Sequence, residues 1–272
     1  MRAELAFPKQ ARSTVNRYRQ RGSYDLSCVH GIVNATSVLH VSFVPDADDV
    51  FPAILPMIGT MASFEFPSAG LDEPLDCYLH GYVSSRLIKL ARQSGDTGGE
   101  GLPVCVAATK VDGIVLSLTP NSHSYNYRSA VIHGYASVVE SDEEKVWAME
   151  RITNGVVTDR WAHTRVPPDK AEMDSTRILR VRVVSGSAKI RQGEPHDAPK
   201  DLEREEVVGT TWTGVVPIYE HYSEPVAGEA NHVPAVPEYL CDFVQTANED
   251  GKRAALDAVK EPSHGRNVSK EP

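Results

Sequence analysis

Leu79-His80-Gly81-Tyr82-Val83-Ser84-Ser85-Arg86-Leu87 is the stretch of this chain whose residue types and spacing most clearly suit chemistry. Apolar alternation runs into a glycine, and two serines then precede a run with helical spacing. The segment predicts a strand, a tight turn through Gly81 and a helix over 85–93. Free amides at the helix N-terminus, the hydroxyls of Ser84 and Ser85 and the Arg86 guanidinium would then converge, which suits a phosphate group. The plainer account is a serine that caps its helix and an arginine left in solvent.

Two other segments carry polar and aromatic groups together. Asn121 to Gly134 reads as a loop feeding a strand, from which Tyr125, Asn126 and Arg128 can lie against a planar ligand. A turn with exposed side chains is the alternative. Trp212-Thr213-Gly214-Val215-Val216-Pro217 reads as a late strand with an aromatic at its start. Such a tryptophan either packs a core or edge, or meets a ligand.

Several chemistries are not encoded. The glycine-rich stretch 95–101 lacks the Gly-Lys-Ser/Thr of a P-loop and does not fit G-x-G-x-x-G. G-x-S-x-G and H-E-x-x-H are missing, and Cys28-x-His30 is too short a pattern for a metal site. No metal is expected. The acidic run 140–144 reads as the solvated start of a helix. With no self-contained nucleophile or acid–base pair in view, a cofactor would have to carry any reaction.

The elements that must position these residues are mostly strands. Leu39, Val41 and Phe43 alternate with polar residues, as do Leu75, Cys77 and Leu79. Ala53-Ile54-Leu55 lies between Pro52 and Pro56, which confine it to a sheet edge or to an opening in the ladder beside a ligand. Asp112-Gly113 between apolar runs predicts a hairpin turn. Further strands fit 130–139, 177–184 and 212–219. Helices are few: one over 24–30 capped by Ser23, the one from Ser85, and one opened by a capping box of Ser141 and Glu144 with Val146, Met149, Ile152 and Val156 on one face. A weak helix fits 250–260. Many short strands and two or three helices predict a mainly β fold, a single β-barrel domain with peripheral helices. Residues 1–23 read as a basic N-terminal arm, 24–220 as the barrel and 221–272 as a C-terminal extension, disordered at its end from Lys260.

Composition bounds the partners. In 272 residues, 41% are hydrophobic and 24% charged, which excludes a wholly disordered, collagen-like or coiled-coil protein. Lys and Arg number 28 against 37 Asp and Glu, a net charge of −9, so the diffuse positive field of a nucleic-acid binder is missing. The first eight residues lack the apolar core of a signal peptide, no run reaches the ~20 apolar residues of a membrane span, and the four cysteines are widely spaced. A cytoplasmic protein with reduced thiols and no membrane partner is expected.

Taken in order, the motifs resemble the FMN-binding split-barrel superfamily. The nearest likeness is to pyridoxamine 5′-phosphate oxidase-like flavin-nucleotide-binding proteins, the branch with the nitroimidazole-resistance proteins. The resemblance runs through Arg21-Gly22-Ser23-Tyr24-Asp25, Pro52-Ala53-Ile54-Leu55-Pro56-Met57, Leu79-His80-Gly81, Asn126-Tyr127-Arg128-Ser129, Ser187-Ala188-Lys189-Ile190-Arg191 and Trp212 to Pro217, covering about residues 12 to 220. It implies a homodimer with FMN at the subunit interface. Ala53, Ile54, Leu55 and Pro56 would contact the flavin ring and ribityl chain through their backbone. His80 and Gly81 would lie beside the ring, with His80 as a proton donor, and Ser84, Ser85 and Arg86 would hold the phosphate. Tyr127, Arg128 and Ser129 would come from the second subunit, with Lys189 and Trp212 as further contacts.

Departures narrow the implied activity. Ser85-Arg86-Leu87 stands where the oxidases have Ser-Arg-Lys, and Val216-Pro217-Ile218-Tyr219 where they have Arg-x-His. The resemblance therefore implies an FMN-dependent oxidoreductase for a small organic substrate other than pyridoxamine phosphate, with a nicotinamide as a candidate electron donor. The alternatives are a non-catalytic flavin- or haem-binding protein of the same fold, and a catalytically silent interaction protein. The insert 64–73 and the extension lie outside the pattern.

Overall fold

Leu39, Val41 and Phe43 are buried while His40 between them is exposed, the two-residue period of a strand with one face on a core. In the computed structural model, which describes residues 5–46 and 48–260, this strand belongs to a barrel-like sheet. The chain divides into two units, Met1–Lys110 with Ser129–Lys189, and Val111–Arg128 with Ile190–Pro272.

The first unit contains β1 (Gly22–Ser23), α1 (Leu26–Asn34), β2 (Leu39–Phe43), β3 (Ala53–Met57), β4 (Gly59–Ala62), β5 (Asp76–Tyr82), α2 (Arg86–Asp96), most of β6 (Leu102–Leu116) and β7 (Ser124–Val138), α3 (Asp142–Val156), α4 (Lys170–Ser175) and most of β8 (Thr176–Arg191). The sheet order is β3-β2-β6-β7-β8-β5-β4, and β1 pairs with β8. Ile58 alone separates β3 from β4, so the order returns on itself and makes a barrel. Val41, Leu79, Val106, Ile132, Leu179 and Val181 are wholly enclosed. The mainly β fold with peripheral helices is as the sequence led one to expect.

Local details differ. The first helix begins at Leu26, not Tyr24, and Ser23 does not cap it; its hydroxyl donates to the Asp25 carboxylate at 2.7 Å. Gly81 makes no turn. It lies within β5, and a Cβ there would stand 3.0 Å from Ile88 Cδ1, so the glycine lets the strand approach α2. Ser141 caps α3, but Glu144 does not reach back to complete a capping box. Its carboxylate is buried and accepts from the Tyr78 hydroxyl at 2.8 Å and from Arg180 at 3.3 Å. Glu144, Lys145, Ala148 and Ile152 are thus the buried residues of α3, Met149 packs against the same cluster as expected, and Val156 is exposed. A full capping box occurs instead at Asp169 and Glu172, opening α4.

The second unit holds the remaining ends of β6, β7 and β8 with α5 (Pro199–Leu202), α6 (Glu205–Val208), β9 (Gly214–Pro217) and α7 (Glu238–Asp257). Asp112-Gly113 is not a hairpin turn, because β6 runs straight through both residues. Asp112 is buried as the partner of Arg128, and Gly113 admits β9, since a Cβ there would stand 2.9 Å from Val215 Cγ1. The helix expected over 250–260 begins far earlier, at Glu238. Leu240, Phe243, Val244, Ala247, Gly251, Ala254, Ala255 and Ala258 recur on its covered side. Small residues dominate that face, so its 3.6-residue period is faint in hydropathy. Asn248 exchanges two hydrogen bonds with the Tyr222 backbone, at 2.7 and 2.8 Å, and Phe243 meets the Tyr222 ring edge-on. The disorder expected at the chain's end falls on 261–272, outside the described residues. Among the described residues no helix is long and apolar enough to cross a membrane.

Candidate functional site

Where the barrel seam opens decides what the first unit can offer a ligand. β4 pairs with β5 from Gly59↔Leu79 to Ala62↔Asp76, and the Ile58 carbonyl accepts from the His80 amide at 2.9 Å. Beyond that point the strands part. β5 continues along β8, through His80↔Ile178 to Tyr82↔Thr176, while β3 pairs with β2. Over Ala53–Met57, β2 is the sole strand neighbour of β3 among the described residues, so backbone groups directed away from β2 are outside any ladder. The two prolines thus flank and interrupt an edge that opens at a seam. Ile54 and Pro56 are exposed there, while Ala53 and Leu55 are half-buried.

The other lip of the seam is the end of β5 and the start of α2. His80 and Tyr82 face outward and Gly81 inward, by strand alternation. Partial desolvation lowers the His80 pKa, which favours the neutral ring at neutral pH; the side chain is then a hydrogen-bonding group more than an acid. The turn falls at Val83 and Ser84, and Ser84 is exposed. Ser85 is the N-cap, its hydroxyl accepting from the Ile88 amide at 3.3 Å. This is the capping role that serine has in many helices, and it leaves the Arg86 and Leu87 amides without intrahelical acceptors. Arg86 is exposed, and its Nη2 donates to the Pro45 carbonyl at 3.0 Å. No carboxylate among the described residues pairs with it, and no acidic residue occupies the first turn of α2. Positive potential and free donors therefore gather at this lip.

Ser129 and Lys189 are brought together in the same unit, the Ser129 hydroxyl donating to the Lys189 carbonyl at 3.1 Å. Lys189 itself pairs with Gly22 across β1 and β8.

In the second unit, Arg128 meets Asp112 by two parallel hydrogen bonds of 2.8 and 2.7 Å. Its guanidinium is committed to a buried carboxylate, which raises its pKa, and it is not a free anion receptor. Tyr127 is half-buried in β7. Asn126, expected against a planar ligand, is fully buried instead. It donates to the Gly193 and Ala258 carbonyls, each at 3.0 Å, and accepts from Arg191. Trp212 is 66% exposed and precedes β9; its ring covers Gly214, where a Cβ would stand 2.7 Å away. The Asp112 partner went unseen because its sequence signal imitated a turn. A buried acid beside a strand glycine has no local signature.

A family model described as pyridoxamine 5′-phosphate oxidase matches residues 26–190. No curated protein matches the chain. The flavocytochrome Anf3 from Azotobacter vinelandii is similar at 24% sequence identity and a TM-score of 0.69, over 86% of this chain and 97% of that one. The FAD and heme binding protein from Mycobacterium smegmatis is similar at 21% identity and a TM-score of 0.67, over 82% and 97%. At these identities the likeness is one of fold.

Proposed function

The chain belongs to the pyridoxamine 5′-phosphate oxidase family, and from that premise we propose that it is an FMN-dependent oxidoreductase of a small organic substrate. The observation that carries this is the open barrel seam, with an unladdered edge of β3 on one lip and the α2 N-terminus on the other. The residues suit a flavin phosphate. Two free amides, the Ser84 and Ser85 hydroxyls and the unused N–H groups of Arg86 supply donors, and the first turn of α2 carries no acid.

Hydride exchange is the chemistry that a bound flavin supplies. The chain's own residues bind and orient. Arg86 and the α2 amides fix the phosphate, free backbone groups of Ala53 to Pro56 meet the ring and ribityl chain, and His80 offers a hydrogen bond beside the ring. Gly81 serves by keeping α2 close, so that its N-terminus stays at the seam. Arg128 and Trp212 are left out of the groups that bind the phosphate. Val50, Phe51 and Ile54 are exposed by 86%, 75% and 60% beside this lip, which favours a homodimer with the flavin at its interface. A nicotinamide is proposed as electron donor, in the cytoplasm.

An absorption spectrum of the purified protein, followed by titration with FMN and FAD and reduction by NADPH, tests this. Flavin bands that bleach on reduction are expected. A colourless protein that leaves flavin fluorescence unquenched overturns it. A second reading, a non-catalytic flavin- or haem-binding protein, draws on the fold shared with the flavocytochrome and the FAD and heme binding protein. A Soret band, or flavin bands inert to every donor, would replace the first reading with the second.

A further inference from the structure

Within the first unit lies a cavity of about 320 Å³ that none of the proposed flavin contacts lines. Its volume is at the low end of the ~300–1,000 Å³ typical of small-molecule sites. Strands β2, β6 and β7 contribute Ser42, Cys105, His133 and Tyr135, and the N-terminal segment contributes Arg12. The walls are otherwise apolar, formed by Phe43, Val104 and Val184 among others, and no Asp or Glu lines the space.

The polar groups present are poised for an acceptor. Arg12 is tethered by its Nε to the Ser185 hydroxyl at 3.2 Å, so its orientation is set while its terminal N–H groups remain. No carboxylate among the described residues pairs with it. The His133 Nδ1 is enclosed and has no hydrogen-bond partner, which leaves Nε2 as the ring nitrogen available to a ligand. Burial, and then the charge of Arg12, lower the His133 pKa, so the two groups do not compete as cations at neutral pH. The Tyr135 ring is held from behind by the Arg182 guanidinium, 5.3 Å from its centroid, and Arg182 is in turn paired with Glu100 at 3.0 Å. A guanidinium with no acid beside it, set against an apolar wall, suits an anion on a hydrocarbon body.

We infer that this cavity binds a small apolar molecule bearing one carboxylate, the carboxylate held by Arg12 and His133 and the hydrocarbon part against Phe43, Val104 and Val184. This is independent of the flavin reading. The probe is 2-naphthoate, titrated calorimetrically into the full-length protein, with 2-naphthalenemethanol as the uncharged control. Saturable one-to-one binding is expected. Arg12→Gln should weaken naphthoate at least tenfold and leave the alcohol unchanged, and Arg12→Lys should recover part of the loss. If Arg12→Gln does not fold, imidazole nuclear magnetic resonance of the wild-type protein decides, because naphthoate must move the His133 ring signals. No saturation, undiminished affinity in Arg12→Gln, or unmoved His133 signals would each overturn the inference. So would competition by FMN, or equal weakening by Arg86→Gln, either of which would place naphthoate in the flavin groove.

Discussion

In the sequence Arg86 and Arg128 each stand beside a serine in a segment offered to a ligand, a phosphate for the first and a planar ring for the second. Their surroundings differ. Arg128 is neutralised by Asp112, while among the described residues Arg86 hydrogen-bonds to a backbone carbonyl and pairs with no carboxylate. Arg86→Ala should therefore weaken FMN by roughly 10- to 100-fold, the worth of one charge-assisted hydrogen bond of about 1.5–3 kcal/mol. Riboflavin, which has no phosphate, should bind the variant as it binds the wild type, and fluorescence titration of both compares them. His30 carries a second prediction. Its Nδ1 donates to the Leu71 carbonyl at 2.8 Å, and its Nε2 is buried without a partner. Burial lowers its pKa against that hydrogen bond, so the unfolded chain takes up a proton below about pH 6.5 that the folded chain refuses. The resulting stability is full above pH 6.5 and is lost as the pH falls toward the lowered value, at up to ~1.4 kcal/mol per pH unit. Urea denaturation between pH 7.5 and 5 should show this slope, and His30→Gln should flatten it.

Strands were legible wherever one face met the core, since burial imposes a two-residue period, as at Leu39 to Phe43. Glycines were misread wherever their reason lay in another element. Gly81 serves α2 and Gly113 serves β9, although each resembled a turn residue. Gly134, which the sequence did place in a strand, has the tightest surroundings, because a Cβ there would stand 2.3 Å from the Arg182 carbonyl oxygen on the neighbouring strand. Backbone cannot yield as a flexible side chain does. Gly134→Ala should destabilise by about 1–3 kcal/mol or more through forced separation of β7 and β8. The loss would register as a lower thermal midpoint by circular dichroism. The long helix α7 was hidden for another reason: beyond Val244 its covered face is alanine and glycine, which pack closely but weigh little in hydropathy.

Across the whole chain a net charge of −9 coexists with a local surplus of donors at the α2 N-terminus, so average charge says little about a cofactor. In the proposed homodimer the exposed Val50, Phe51 and Ile54 would be covered at the subunit interface. Replacing Phe51 by Asp together with Ile54 by Lys should shift sedimentation from dimer to monomer and lower flavin affinity in parallel. A monomeric wild-type protein that still holds flavin would remove the interface from the proposed site.

Residue order alone determined the β-rich barrel, the proline-marked edge at Ala53 to Pro56 and the serine-capped helix with Arg86, because each rests on a short-range period or on a cap within a few residues. Only the tertiary structure decided which charges are free. Asp112 reaches Arg128 across 16 positions of sequence, Glu144 reaches Tyr78 across 66, and Arg12 meets Ser185 across 173. An ion pair or a cavity is made by groups that the folded chain brings together from distant positions, and no local pattern records the meeting.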